Sequence, residues 1–397
     1  SDVYKRQDMN KTILEEAARR FGTPCYVISG DDFARRANAV KEAFGENTGL
    51  CYSIKANPFL LKYLPDAFSY IEVCSPGELS ICEELSVPMS KVIFSGVNKT
   101  ERDVERAWND GVGLFTAESL LHVRLINARA VKSGGKARLI LRLSHGSQFG
   151  MDASVIKEVI RNRDSYKGLE IVGLHYFTGT QKTKVQTIRR ELSLLDEFCQ
   201  ELESELGFRA EHIEYGTGLA VEYFKDFTEE TDMALLAEAA EAVREFAGEY
   251  PLTVEMGRFF AAESGSYLTS VMDVKTNGDA TYVICDGGIN QLNYYGQNMA
   301  MKVPPISVLN KPEGSERADY CLCGSLCTTA DILVRKAELP KLDIGDVICF
   351  SRCGAYSISE GIAIFLSRSL PNVALYSEKD GLTLSRQITE TYPLNKP

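Results

Sequence analysis

Lys55 stands directly after a short apolar run, in Tyr52-Ser-Ile-Lys-Ala-Asn-Pro58. A lysine partly shielded from water has a lowered ammonium pKa and becomes nucleophilic toward aldehydes. As an isolated residue it would be only a solvated surface charge. Two further segments bear on it. Gly216-Thr217-Gly218 reads as a tight turn, and its free N–H groups would suit a phosphate if a helix followed. Glu255 and Arg258, in Glu255-Met-Gly257-Arg258, lie one turn apart. They could give a carboxylate to a ring nitrogen and a cation to a phosphate, but on a surface they would mean nothing.

Whether these residues meet depends on the elements that carry them. After residue 50, short apolar runs alternate with longer helical patterns. Strands are predicted at Cys51–Ile54, Tyr70–Val73, Val92–Phe94, Leu114–Phe115, Leu139–Leu143, Ile171–Tyr176, Ile213–Tyr215 and Thr253–Glu255. Amphipathic segments such as Ala117–Lys132, Lys184–Leu206 and Met233–Gly248 fall between them. Parallel neighbours need crossover helices, so the alternation predicts a parallel sheet. Eight such units predict an α/β fold, a closed (β/α)8 TIM-like barrel. An open doubly wound sheet is the alternative, but no G-x-G-x-x-G follows the first strand.

Active sites of such barrels form at the carboxyl ends of the strands. Those positions gather Lys55, Glu72 to Glu78, His175-Tyr-Phe177-Thr-Gly-Thr180-Gln181, Tyr215 to Leu219, and Glu255 to Arg258. A lysine able to form a Schiff base, a phosphate cradle and a buried acid are together what pyridoxal 5′-phosphate (PLP) requires.

Beyond Gly265 the texture changes. Tyr267–Val274, Thr281–Cys285, Asp319–Cys323, Asp346–Phe350 and Val373–Tyr376 read as strands without intervening helices, with turns at Asn277-Gly278 and Lys379-Asp380-Gly381. The expected organisation is a barrel over 30–262 and a mostly β domain over 263–397. The N-terminal segment 9–29 contains Cys25–Ser29, which either pairs with the β domain or leads into the barrel. Residues 1–8 resemble no targeting peptide and read as an extension of unknown origin, with Met9 as the natural start.

The order of these motifs resembles the fold-type III PLP-dependent decarboxylases, the ornithine, arginine and diaminopimelate decarboxylase family, from Thr23 to Tyr376. Lysine, Gly-rich loop, E-x-G-R, the segment Cys323-Gly-Ser-Leu-Cys327 and Cys353-Gly-Ala-Tyr356 occur in that order. The resemblance implies decarboxylation of an amino-acid or aminoacyl substrate through an external aldimine, with Lys55 as the Schiff-base residue. It implies that Glu255 pairs with the pyridinium nitrogen and that Gly216, Thr217, Gly218, Gly257, Arg258 and Thr180 surround the phosphate. Tyr356 would close over the cofactor, and with Arg258, Tyr294 and Thr328 would meet the substrate. Cys327 would come from the neighbouring subunit of a homodimer and protonate the carbanion as general acid. A small buried hydrophobe is the commoner fate of a free cysteine.

Three positions depart from the family pattern. Where an H-x-H-x-G run would stack its second histidine on the cofactor, this chain has Phe177, while His175 matches the first. After Cys327 stands Thr328, where enzymes for basic amino acids carry an acid for the distal amine. An uncharged hydroxyl compensates poorly for desolvating an ammonium group. In Asp286-Gly-Gly-Ile-Asn-Gln-Leu-Asn-Tyr294, the arginine that diaminopimelate enzymes carry is missing. The Cys-Thr form is closer to decarboxylases of glutamyl groups on carrier proteins. An amino-acid racemase on the same fold and a silent PLP-binding homologue remain alternatives.

The net charge of −11 argues against nucleic acid, whose phosphates need a basic surface. It also disfavours an acidic carrier protein, unless Lys182, Lys184, Arg189 and Arg190 form a basic patch rather than a solvated helix face. Apolar residues make up 44% and charged residues 25%, ample for a globular core, and no apolar stretch is long enough to cross a bilayer. Eleven cysteines without disulfide-like spacing suit a reducing cytoplasm. Four histidines, none at zinc-ligand spacing beside Cys321, Cys323 and Cys327, predict no metal site.

Overall fold

The computed structural model describes residues 11–224, 229–294, 300–312 and 314–397. The expectations for residues 1–8 and for Met9 lie outside them. The chain divides into two compact units, one formed by Arg36–Ala220 and Asp232–Phe259, the other by the remaining described residues.

In the first unit eight parallel strands close into a barrel: β2 (Thr48–Ser53), β3 (Tyr70–Val73), β4 (Val92–Phe94), β5 (Leu114–Ala117), β6 (Ala137–Leu143), β7 (Leu169–Phe177), β8 (His212–Gly216) and β9 (Leu252–Met256). Closure is direct, with Cys51 of β2 in register with Glu255 of β9. One interior layer is Cys51, Ile93, Leu114, Ile140 and Val172, each from a different strand. The helices between strands begin where the sequence offers a hydroxyl cap. Ser75 caps α3 (Pro76–Glu84), Thr100 with Asp103 forms a capping box on α4 (Glu101–Asn109), and Ser119 caps α5 (Leu120–Lys132). Helix α2 (Gly30–Phe44) precedes β2, and α6 (Ala153–Arg161), α7 (Val185–Leu206) and α8 (Glu229–Glu249) complete the set.

The first crossover departs from the expected alternation. Strand β2 stops at Ser53, and Ile54–Ala56 and Pro58–Tyr63 form short 3-10 turns instead of an α-helix. Asn57 holds an extended conformation before Pro58, as the proline ring demands of its predecessor. Lys55 therefore sits in a turn just past the strand.

In the second unit, β1 (Cys25–Ser29) is buried along its length. It lies between β10 (Gly265–Asn277), antiparallel, and β16 (Asn372–Ser377), parallel. Of the two placements open for Cys25–Ser29, the structure shows pairing in this sheet. Strand β11 (Ala280–Cys285) joins β10 through Asn277-Gly278, and β17 (Gly381–Arg386) joins β16 through the Lys379–Gly381 turn. The sheet also holds β13 (Arg317–Cys323), β14 (Ile332–Pro340), β12 (Ile306–Val308) and β15 (Val347–Phe350). Strands β12, β14 and β17 have no counterpart in the predicted set. Charges interrupt the half-exposed β14, for instance at Arg335, Lys336 and Glu338, which hides its periodicity. A core of Leu14, Ala17, Cys25, Val27, Leu268, Leu309, Cys349, Ala374 and Leu382 ties the N-terminal helix α1 (Lys11–Phe21) to the sheet.

Candidate active site

At the carboxyl end of the barrel, the turn after β2 places Lys55 Nζ in an ion pair with Glu72 of β3 and 3.5 Å from Glu255 Oε1 of β9. The lysine side chain keeps 39% of its exposure, so its expected shielding is partial. The sequence places Glu72 at the barrel mouth but assigns it no role. Its signal was an acid inside the otherwise apolar run Tyr70-Ile-Glu-Val73.

Glu255 is held from two further sides. Ser53 Oγ donates to its Oε1 at 2.6 Å, and His175 Nε2, from β7, lies 3.0 Å from its Oε2. The buried Nδ1 of His175 has no partner among the described residues, which places the donating proton on Nε2. Burial alone would push the Glu255 carboxyl up. The Lys55 charge and the His175 hydrogen bond outweigh it and hold the group well below the usual carboxylate range. Glu214, fully buried on β8, goes the other way: burial, then Glu255 and Glu72, raise it well above that range. Neighbouring carboxylates thus take opposite protonation states, with Glu255 the anion.

Beside this array two loops lie flush. Lys182 N–H donates to Gly218 O at 2.8 Å, and Ala220 N–H donates to Lys182 O at 3.1 Å, joining the loop after β7 to the loop after β8. Gly218 has a left-handed φ of +61°, and a Cβ there would stand 2.0 Å from Gly179 O. A Cβ on Gly216 would strike the Phe177 ring at 2.4 Å. Thr217 is buried and Thr180 exposed. No helix follows Gly218 directly, so the condition set for its N–H groups is not met there: residues 219–224 are irregular, and α8 is Glu229–Glu249. Helical turn Arg258–Ala261 instead follows β9 through Gly257, where a Cβ would stand 2.9 Å from that of Ala56. Arg258 is buried to 9% exposure. A glycine-rich backbone turn, a reachable lysine and a buried carboxylate kept ionised fit a phosphate, an aldehyde and a protonated ring nitrogen respectively.

The strand ends also carry a second polar group. Arg142 of β6 donates to Glu118 Oε1 at 3.0 Å, both buried. Lys99, after β4, is 3% exposed and is brought down to about 8 chiefly by burial. Arg142 was readable as a cation inside Leu139-Ile-Leu-Arg-Leu143. Of the two readings open for the basic cluster, a patch is not favoured: Lys182 is buried against Glu191 and Arg189 pairs with Glu241.

The other expected site residues belong to the β unit. Cys327 is exposed on the rim of an open depression of about 460 Å³ that Met272, Lys275, Asp286 and Arg368 also line. Its loop is pinned by Asp331, which accepts N–H bonds from Ile289 at 2.9 Å and Leu326 at 2.7 Å. Asp331 is 3% exposed, so it cannot stand in for the acid missing at Thr328. Thr328 is half-buried, its hydroxyl accepting from Ala330 N–H at 3.3 Å. Tyr356 adopts a left-handed φ of +66° and Arg352 one of +57°, two strained non-glycine positions within five residues. Tyr294, expected at the substrate, is 1% exposed, donates its hydroxyl to Ser351 O and packs edge-on against Tyr223 and Phe224.

Comparison with known proteins agrees with this geometry. Residues 30–262 match the pyridoxal-binding domain of the pyridoxal-dependent decarboxylases. A diaminopimelate decarboxylase of Aquifex aeolicus is 27% identical, covering 87% of this chain and 85% of its own. An L-glutamyl-(BtrI acyl-carrier protein) decarboxylase of Niallia circulans is also 27% identical, covering 92% and 91%. Among solved structures, the diaminopimelate decarboxylase of M. jannaschii in complex with L-lysine superposes with a TM-score of 0.85 at 26% identity, covering 96% and 92%. No helix among the described residues is long and apolar enough to cross a membrane. The chain belongs to the pyridoxal-dependent decarboxylases and is an amino-acid decarboxylase whose cofactor is PLP.

Proposed function

We propose that the protein decarboxylates an amino-acid or aminoacyl substrate other than ornithine or diaminopimelate, with a carrier-bound glutamyl group as the leading candidate. The observation behind the chemistry is Lys55 set beside Glu72 and Glu255, with Glu255 braced by His175 and Ser53. In this reading Lys55 is the attachment point. Glu255, ionised, accepts the ring N–H; His175 and Ser53 fix its rotamer. Gly216, Thr217, Gly218, Gly257 and Arg258 hold the phosphate, with Thr180 at its edge, and Phe177 lies against the ring. The chemistry that PLP supplies there is an electron sink for the pair left as carbon dioxide departs. From the motif resemblance we assign Tyr356 to covering the cofactor and Cys327, from the second subunit of a homodimer, to returning a proton to the α-carbon. Work in the cytoplasm fits the free thiols.

The substrate reading rests on Thr328. A distal ammonium would face a hydroxyl where related enzymes supply a carboxylate, and the buried Asp331 is already taken by backbone N–H groups. A side chain continuing as a thioester needs no such counter-charge. The carrier protein of the Niallia circulans relative shows that one similar enzyme handles such a substrate. The burial of Lys182 weakens the case for a basic docking patch, so the free amino acids belong in the same assay. The test is carbon dioxide release from a panel of free and carrier-bound amino acids. Release from a glutamyl carrier, with none from ornithine or diaminopimelate, is expected. Release from diaminopimelate would overturn the substrate reading, and α-hydrogen exchange without carbon dioxide would replace decarboxylation by racemization.

A further inference from the structure

Behind the phosphate cradle lies a buried polar cluster that the proposed chemistry does not use. Glu191, on α7, is 6% exposed, and its carboxylate gathers three donors. Lys182 Nζ reaches its Oε2 at 2.6 Å, Tyr215 O–H reaches the same oxygen at 2.5 Å, and Thr178 O–H donates to Oε1. Lys182 and Thr178 belong to the loop after β7, and Tyr215 to β8. One helix-borne carboxylate thus grips the loop after β7 and the end of β8, from which the Gly216–Gly218 loop leaves.

The ammonium of Lys182 has a second set of contacts. It stands 5.9 Å from the centroid of the Phe177 ring and 5.8 Å from that of Tyr215, within the range where a cation is drawn to an aromatic face. The same residue's backbone ties Gly218 and Ala220, and its Cε lies 3.3 Å from where a Gly218 Cβ would be. Phe177 in turn seals against Gly216. A charge 9% exposed needs a strong reason to be there, since desolvation opposes it and, among the described residues, Glu191 alone balances it. Replacing both members by uncharged residues would cost the fold little.

We infer that Lys182, anchored on Glu191, is a positioning residue of the cofactor site, holding the Phe177 ring and the Gly216–Gly218 loop in register at the position where a histidine is missing. The proposal rests on the reading that this loop binds the PLP phosphate. The pair keeps the two loops at the spacing a phosphate needs and keeps Phe177 in one orientation.

The experiment compares the wild-type holoenzyme with Lys182→Met and with Lys182→Met/Glu191→Gln. Lys182→Met leaves Glu191 its two hydroxyl donors. The double variant removes both charges and keeps an acceptor for Tyr215 and Thr178, so it reports even if the single variant does not fold. The readouts are the PLP dissociation constant, the phosphorus NMR resonance of bound PLP and the thermal midpoint of the apoprotein. We expect an apoprotein midpoint near wild type in the double variant, with PLP binding weakened roughly tenfold or more and the phosphorus resonance shifted or broadened. A double variant with wild-type PLP affinity and an unmoved resonance would overturn the inference. Failure of the wild-type protein itself to take up PLP would instead overturn the underlying site reading.

Discussion

His175 Nε2 and Glu255 Oε2 lie 3.0 Å apart across the barrel mouth, joining the ends of β7 and β9 around one carboxylate. The contact does two things. It fixes the Glu255 side chain, whose other oxygen Ser53 holds, and it helps Lys55 keep that buried carboxyl ionised. A carboxylate that stays charged while buried offers a cationic ring N–H an acceptor that remains an anion.

Glu255→Gln therefore removes the charge while keeping the shape. His175 can still donate to the amide oxygen and the Ser53 hydroxyl can turn to accept from the amide nitrogen, so the variant should fold and retain PLP. Turnover should fall about a hundredfold or more, the scale of losing one preorganised electrostatic contact. Steady-state kinetics at saturating PLP measure it, and turnover within a factor of two of wild type would contradict the role given to Glu255.

Gly218→Ala tests the cradle. Alanine at a φ of +61° costs about 1–2 kcal/mol on backbone grounds alone, and its Cβ would meet Gly179 O at 2.0 Å. The two loops must part, and PLP affinity should drop by about tenfold or more. Equilibrium dialysis of PLP reads the change, and an unaltered dissociation constant would place the phosphate elsewhere.

For Cys327→Ala, PLP uptake should be unchanged, because the exposed thiol stands in the β unit and supplies no part of the cradle. Protonation of the product should slow or lose its stereochemical course when the reaction runs in deuterated water. Full turnover with a single product stereoisomer would remove the general-acid role.

The structure also sets a pH dependence of stability. His212, 5% exposed and edge-on to Tyr70, is lowered to about 4 by burial, with Arg138 and His175 adding to the shift. Unfolded, the same ring takes up its proton near pH 6.5. Between those values the unfolded chain binds more protons, so stability is fully present above pH 6.5 and falls as pH drops toward 4. The loss from this one residue is on the order of 1–3 kcal/mol. Urea unfolding at pH 7 and pH 5 should show a smaller drop for His212→Phe than for wild type. An identical drop in both would contradict the assignment.

Much of this site was legible before the fold was known, because barrel strands end where apolar runs end. Lys55, His175, Glu255 and Arg258 each follow or close such a run, and the structure brings them to the same end of one barrel. The acids and cations inside the runs were harder to read. Glu72 and Arg142 break their strands' apolar pattern by one residue, and only the closed barrel shows that such a residue points to chemistry. Lys182 looked like part of a solvated basic face, since its partner Glu191 lies nine residues away on a helix whose start the sequence does not mark with a capping hydroxyl. The burial of Tyr294 was not legible either: nothing local distinguishes an exposed tyrosine from one whose hydroxyl is bound to the Ser351 carbonyl.

The central claim is that Lys55 carries the cofactor, and chemical trapping tests it most directly. PLP-loaded protein is reduced with borohydride, digested and mapped by mass spectrometry. A phosphopyridoxyl mass on Lys55, absent from Lys55→Ala together with the visible absorbance of the bound cofactor, is the expected result. A label on any other lysine, or an unchanged spectrum in Lys55→Ala, would contradict the account.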